Sequence, residues 1–310
     1  MRSALLLVVC CTSLGCSSRG HRPAEVAKRN GVAGPVLTPV LTSGDYHSCA
    51  LEAVRPGSTA SAHVVCWGSN TRGESAALPG LFSVVAAGGA TTCAVDTHGG
   101  VRCQGHGGFG QLRTPAGRFR TVAVGPHAVC GIRPDSSIQC WGEPKTADAP
   151  RSGSYRSVCV GLGYSCALQL DGAVACWGEL RPSRQRSRYA GLFRQISCGP
   201  FHACGVRQDG RLACWGDNGH GRATPPKGSF VQVAPGGYHT CAVTANGRGR
   251  CWGHNNLGQA SPPAGRFVAV SCGMGHSCAV DALGVVSCWG SQQHGQATPP
   301  ARLRRQGHPR

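Results

Sequence analysis

Apolar residues along this chain recur in short alternating runs and not at helical spacing. In Phe267-Val268-Ala269-Val270-Ser271-Cys272 and in Val285-Val286-Ser287-Cys288-Trp289, β-branched, aromatic and small residues follow one another without an i, i+3, i+4 repeat. Such runs predict strands. Glycine interrupts them too often for helices, where each interior glycine costs about 1 kcal/mol. Between paired runs stand Asp171-Gly172, Asp209-Gly210, Asn246-Gly247 and Asp281-Ala282-Leu283-Gly284. Asp or Asn followed by Gly supplies the positive φ of a tight turn, so each pair of runs predicts a hairpin.

The runs are copies of one unit. Seven cysteines, Cys49, Cys93, Cys130, Cys166, Cys204, Cys241 and Cys278, open the hairpins at spacings of 44 once and 36 to 38 five times. Their counterparts, Cys66, Cys103, Cys140, Cys176, Cys214, Cys251 and Cys288, follow ten residues later in every copy but the first. Six copies continue with Trp-Gly, which accounts for every tryptophan, and the second has Gln104 instead. A fixed period in this range marks a solenoid, propeller or array. A small sheet buries only one pair of faces and needs neighbours on both sides. Seven units of about 37 residues, read as four strands each, therefore predict an all-β, seven-bladed β-propeller over 41–300.

Turn geometry places each cysteine opposite its counterpart, so the fourteen are expected as one hairpin disulfide per blade. Zinc is the rival reading, but its structural sites draw on close pairs such as Cys-x-x-Cys, and none occurs here. His47, His127, His202, His239 and His276 precede the ladder cysteines and invite a metal reading, yet each partner cysteine already faces the thiol in question. We expect no metal and no cofactor. Of the 20 cysteines, Cys159, Cys198 and Cys272 lie outside both the ladder and the N-terminal segment. Cys159 and Cys198 leave equivalent strands of adjacent blades on opposite faces, so they are expected to meet. Cys272 has no such partner and is expected as a buried free thiol.

The first sixteen residues, MRSALLLVVCCTSLGC, hold one arginine, an apolar run and small residues ending at Cys16. That is an export signal, too short for a resident span. Its end resembles a bacterial lipoprotein signal with Cys16 as the lipidated residue. Residues 17–40 then read as a tether, and 301–310, ARLRRQGHPR, as a basic tail. The expected location is a bacterial outer membrane or cell surface through the lipid anchor, and otherwise the periplasm or the medium.

Net charge is +18, but only 14 % of residues are charged and 28 of the 31 cationic ones are arginine. Such composition raises the local concentration of anions, but no motif supports nucleic-acid binding. Thirteen carboxylates leave little for acid–base work, since Asp96, Asp135, Asp171, Asp209 and Asp281 occupy hairpin turns. No nucleophile elbow, phosphate loop or zinc-protease helix occurs. An enzyme is not expected.

The pattern Gly-x-x-His-x-Cys-Ala, Asp-Gly, Cys-Trp-Gly, then Asn-x-x-Gly-Gln and Pro resembles the regulator of chromosome condensation repeat. The turn is plainest in Asn255-Asn256-Leu257-Gly258-Gln259 and Gln292-Gln293-His294-Gly295-Gln296. The short period is closer to bacterial members such as the secreted propeller-type β-lactamase inhibitory protein. The resemblance implies a seven-bladed propeller and, from eukaryotic members, a role as exchange factor for a small GTPase. Two blades depart from the pattern, reading EPKTADAP after Gly142 and ELRPSRQRSR after Gly178. The second gathers Arg181, Arg184, Arg186 and Arg188 into one loop, suited to carboxylate, phosphate or sulfated groups. It should share a face with the turns carrying His127 and His202. The resulting expectation is an exported or surface-anchored, monomeric, non-catalytic propeller that binds a protein or anionic surface ligand. The alternatives are a structural envelope component without a specific soluble ligand, or an exchange-factor-like regulator.

Overall fold

The computed structural model describes residues 41–53, 62–144, 148–150, 152–180 and 191–304. Cys16, the 17–40 tether, Arg181, Arg184, Arg186, Arg188 and the tail beyond 304 lie outside them. Among the described residues, twenty-one strands form seven units of three: Leu41–Gly68, Phe82–Gly105, Thr121–Gly142, Tyr155–Gly178, Phe193–Gly216, Phe230–Gly253 and Ala269–Gly290. We number these units 1 to 7. Each is an antiparallel meander in chain order, and a single bridge, Ala62 to Phe82, joins units 1 and 2.

Three strands per unit replace the four expected from sequence. In units 1, 2, 5, 6 and 7 the stretch after the third strand folds as a side-chain-closed turn instead. In unit 6, Asn255 Oδ1 accepts the Ala260 amide at 2.8 Å, and Gly258 adopts a φ of 76°. Pro262 and Pro263 then lack the N–H a fourth strand would need. In units 2, 4, 5 and 6 the first strand carries a bulge just after its opening aromatic residue. Phe82, Phe193, Phe230 and Tyr155 are thereby turned inward and buried.

All seven ladder pairs are disulfides, and Cys166–Cys176 and its equivalents sit in direct cross-strand register. Their Cα atoms stand 4.0–4.1 Å apart, below the roughly 4.4–6.8 Å usual for disulfides. Residues directly opposite across an antiparallel pair come to about 4.5 Å where no backbone bonds join them, and these pairs stand closer still. Cys159 and Cys198 form an eighth bridge between units 4 and 5, with Cα atoms 5.3 Å apart. Cys272 is free and buried.

The core is distributed. Seven apolar clusters each draw on two adjacent units, and the one containing Ala50, Val65, Trp67, Val280 and Val286 joins unit 7 back to unit 1. The ring is closed by the Met274 amide, which donates to the Asp45 carbonyl at 3.1 Å, and by Trp67 Nε1, which donates to the Gln296 carbonyl at 3.0 Å. The first strands lie innermost. They leave a central space of only about 40 Å³, lined from every unit by Gly44, Gly89, Gly125, Val160, Gly199, Pro235 and Gly273.

Around that axis backbone packs on backbone. A Cβ on Gly236 would stand 2.5 Å from the Gly273 carbonyl oxygen, and one on Gly273 the same distance from that of Gly44. Neither glycine has a positive φ, so closeness alone excludes a side chain. Gly236→Ala is expected to cost about 3 kcal/mol, the upper end for overpacking, because a neighbour's backbone cannot repack as a side chain does. Gly275→Ala, whose Cβ would meet nothing nearer than Leu257 Cδ1 at 3.3 Å, should stay within about 0.5 kcal/mol of the parent. Urea midpoints of the two variants test the contrast, and equal midpoints would contradict it.

Candidate functional site

In a meander, the turn from first to second strand and the stretch after the third leave the same end of the sheet. Both sets of sequence-flagged turns therefore meet on one face. Beneath that face lies a repeated clip between units. Gln259 Oε1 accepts the Leu257 amide at 2.9 Å, which holds the turn shut. The Gln259 carbonyl then accepts two donors from unit 7, Trp289 Nε1 at 2.9 Å and Ser277 Oγ at 2.9 Å. With its proton committed there, Ser277 Oγ accepts from His239 Nε2 at 2.7 Å, which fixes the ring tautomer.

The clip recurs with substitutions. Arg222 replaces glutamine under Trp252 and Thr240, with His202 bonded to Thr240 at 2.6 Å. Glu74 serves Thr92, to which His47 bonds at 2.8 Å. In unit 2, which lacks the tryptophan, Gln104 Nε2 donates to the Ala76 carbonyl at 2.7 Å beside that clip. The fixed spacing of 30 residues from glutamine to the next tryptophan was the available signal for this role.

The clip histidines are structural. His47, His202, His239 and His276 are fully buried, and their Nδ1 atoms have no hydrogen-bond partner. Burial lowers the pKa of His47 and His239 to about 4, and of His202 and His276 to about 3. His127 differs because it stands three residues before its ladder cysteine where the others stand two. Ala128 fills the buried site, and His127 lies at the surface, 3.4 Å from Glu143 of the divergent 143–150 loop. His239, Cys241 and Cys272 bring a nitrogen and two sulfurs within 4.8 Å of one another. Cys241 is bonded to Cys251, so only two ligands would remain for a metal.

Above the clips the face displays aromatic and histidine side chains in stacked or edge-on groups. Phe109, 42 % exposed, stacks on His127 at 3.8 Å between ring centroids and meets His106 at 5.7 Å. Tyr46 of unit 1 meets His294 of unit 7 at 5.3 Å. Phe201, Tyr238, His254 and His220 form a third group across units 5 and 6. Arg222 lies under it, 5.2 Å from the Phe201 ring and 5.7 Å from that of Tyr238, and ion-paired to Asp217 at 2.5 Å. Leu257, half exposed, adds an apolar side chain. The arginine loop expected here begins after Leu180 and falls outside the described residues, and His202 is buried beneath the face, not part of it.

Residues 193–222, 230–259 and 267–296 match the regulator of chromosome condensation (RCC1) repeat. These matches fall on units 5, 6 and 7. No curated protein matches the chain. Among solved structures, the CRINKLY WD40 ectodomain of the Arabidopsis thaliana receptor kinase ACR4 is 27 % identical, with 85 % of this chain and 97 % of that one covered at a TM-score of 0.69. The ectodomain of the Physcomitrella patens receptor kinase CR4 is 23 % identical over 82 % of this chain and 73 % of that one, at 0.68. Human WBSCR16 is 16 % identical over 81 % and 86 %, at 0.62. At those lower identities the likeness is one of fold. An RCC1-like propeller is typically a binding or regulatory scaffold and not a catalyst. Eight disulfides among the described residues suggest an oxidising compartment. Among the described residues no helix is long and apolar enough to cross a membrane.

Proposed function

We propose that this RCC1-like propeller is exported, held at a cell surface by a lipid on Cys16 with 17–40 as tether, and binds a protein through the aromatic–histidine face without catalysis. The observation that carries the reading is that face. Tyr46, Phe109 and Tyr238 are each 40–45 % exposed, though a ring of buried clips immediately beneath them was free to be covered by polar residues. Exposed aromatic side chains on a rigid support are the usual anchors of protein interfaces. Arg181, Arg184, Arg186 and Arg188, which lie outside the described residues and follow Leu180 in the sequence, extend the proposal to an acidic rim on the partner. The expected tail from 301 is corrected at its start, because Leu303 is buried in the cluster that joins units 7 and 1 and Arg302 pairs with Glu52 at 2.8 Å. Only the segment beyond 304 is taken as a basic tail, and the scaffold is taken as a monomer.

Combined Tyr46→Ser, Phe109→Ser and Tyr238→Ser substitutions should leave the fold intact and reduce capture of the native partner from envelope extracts more than tenfold. That follows from hot-spot anchors worth about 2 kcal/mol each. A partner held equally by parent and variant would place binding elsewhere, and one held by neither would favour a passive envelope component. For the anchor, incorporation of a fatty-acid analogue should vanish in Cys16→Ala, and persistence there would exclude lipidation at this residue.

A further inference from the structure

Cys272 precedes Gly273 as Cys198 precedes Gly199, so the two occupy equivalent places at the inner end of units 7 and 5. Cys198 bonds to Cys159, two residues before Gly161 in the preceding unit. The corresponding residue before unit 7 is Ala234, so no sulfur stands there for Cys272. What does stand beside it is the unit 6 ladder. Cys272 Sγ and Cys241 Sγ lie within 4.8 Å of each other and of a ring nitrogen of His239. Ser277 Oγ bridges the two sulfurs, 3.5 Å from Cys241 and 3.6 Å from Cys272. His239 is wholly buried in this group, and its Nδ1 has no partner. The far sulfur of the disulfide belongs to Cys251, half-buried on the outermost strand of unit 6, Gly249–Gly253.

We propose that Cys272 is the resident nucleophile of an internal thiol–disulfide exchange that moves the unit 6 bridge from Cys241–Cys251 to Cys241–Cys272 and presents a free thiol at Cys251. When the site opens, the Cys272 sulfur loses its proton to solvent, and its electron pair forms the bond to Cys241 Sγ. The Cys241–Cys251 bond breaks, and its electron pair leaves on Cys251, which takes a proton from solvent. One disulfide and one thiol stand on each side of the step, so no external oxidant or reductant is required. A thiolate is the attacking species in such exchange, and burial pushes the Cys272 thiol up to about 12. The resident thiol is therefore protected at rest, and the step is slow until the site opens. The liberated Cys251 thiol is a site for an external disulfide, which it attacks to form a mixed disulfide with release of one thiol.

Trypsin separates the three cysteines, because Arg248 and Arg250 lie between Cys241 and Cys251, and Arg266 lies between Cys251 and Cys272. The oxidised full chain is incubated in neutral buffer with N-ethylmaleimide, digested without reduction, and mapped by mass spectrometry. The expected result is maleimide on Cys251, equimolar with a new peptide pair linking Cys241 to Cys272, while Cys241 itself stays unlabelled. Both products should be absent from C272S and C272A. Label on Cys272 alone, label on Cys241 and Cys251 together, or no label at Cys251 over prolonged incubation would overturn the proposal. A second arm does not depend on the rate. In C251S, Cys241 should pair with Cys272 when the chain is oxidised, with native circular dichroism. A folded C251S in which Cys241 and Cys272 both remain free would equally overturn it.

Discussion

On acidification below about pH 6.5, the ordinary histidine range, the chain is expected to lose stability faster than a protein with surface histidines. The four clip histidines are neutral in the fold because burial drives their pKa values down to about 3 or 4. In the unfolded chain they titrate near the ordinary value. Between the two, the unfolded state binds more protons, so stability is fully present above about pH 6.5 and drains away as pH falls toward 4. Each such proton contributes about 1.4 kcal/mol per pH unit, so four together approach about 5 kcal/mol per unit. Asp45 opposes them. Burial raises its carboxyl to about 6 against the pull of His127, so the fold retains that proton and gains stability from it as pH falls. One group against four leaves the sign unchanged. Against a total of about 5–15 kcal/mol, cooperative structure should be lost within roughly two units. Urea midpoints measured stepwise from neutrality should fall steeply, and His202→Gln with His276→Gln should flatten the slope. A flat profile in the parent would show that the histidines are not held neutral.

Reduction is expected to be as damaging. In the chain-entropy description, closing a loop of 10 residues, the separation in six of the ladder bridges, stabilises by about 3 kcal/mol. The 39-residue separation of Cys159 and Cys198 gives about 4 kcal/mol. Eight bridges together exceed the whole stability of an ordinary domain of about 5–15 kcal/mol, so the fully reduced chain should not hold its fold. The paired variant Cys159→Ser, Cys198→Ser should lose more than Cys93→Ser, Cys103→Ser, by about 1 kcal/mol. Equal losses would mean that the inter-unit bridge adds nothing beyond a hairpin clamp. A reduced chain with an unchanged urea midpoint would remove the disulfides from the account altogether.

Much of the fold was legible because the cysteines mark the hairpins at a constant period and the Asp-Gly and Asn-Gly turns fix their register. Cys159–Cys198 was legible for a related reason: two surplus sulfurs stood at neighbouring inner strands. The strand count was not, since a turn closed by Asn255 and followed by two prolines reads from a distance like one more short run. The glycines around the axis are required by the next unit's backbone, some 37 residues away, which no local pattern reveals. His127 shows how a shift of one residue moves a histidine from a buried clip to the surface. The binding face was half legible. The sequence placed the divergent turns on one end, but it drew attention to the arginines and passed over Tyr46, Phe109 and Tyr238. These lie at turn positions where period-two alternation no longer says which side chains face water. Their pairing with His294, His127 and His254 crosses between strands and units.

The face built on the clips is proposed as the place where this propeller meets a protein. Amide hydrogen exchange on the captured complex tests it most directly. Protection on binding is expected at 45–46, 106–109, 127, 201, 237–238 and 254–257, with no change in the hairpin turns at the opposite end, 135–137, 208–211, 245–248 and 281–285. Protection confined to those hairpin turns would contradict it.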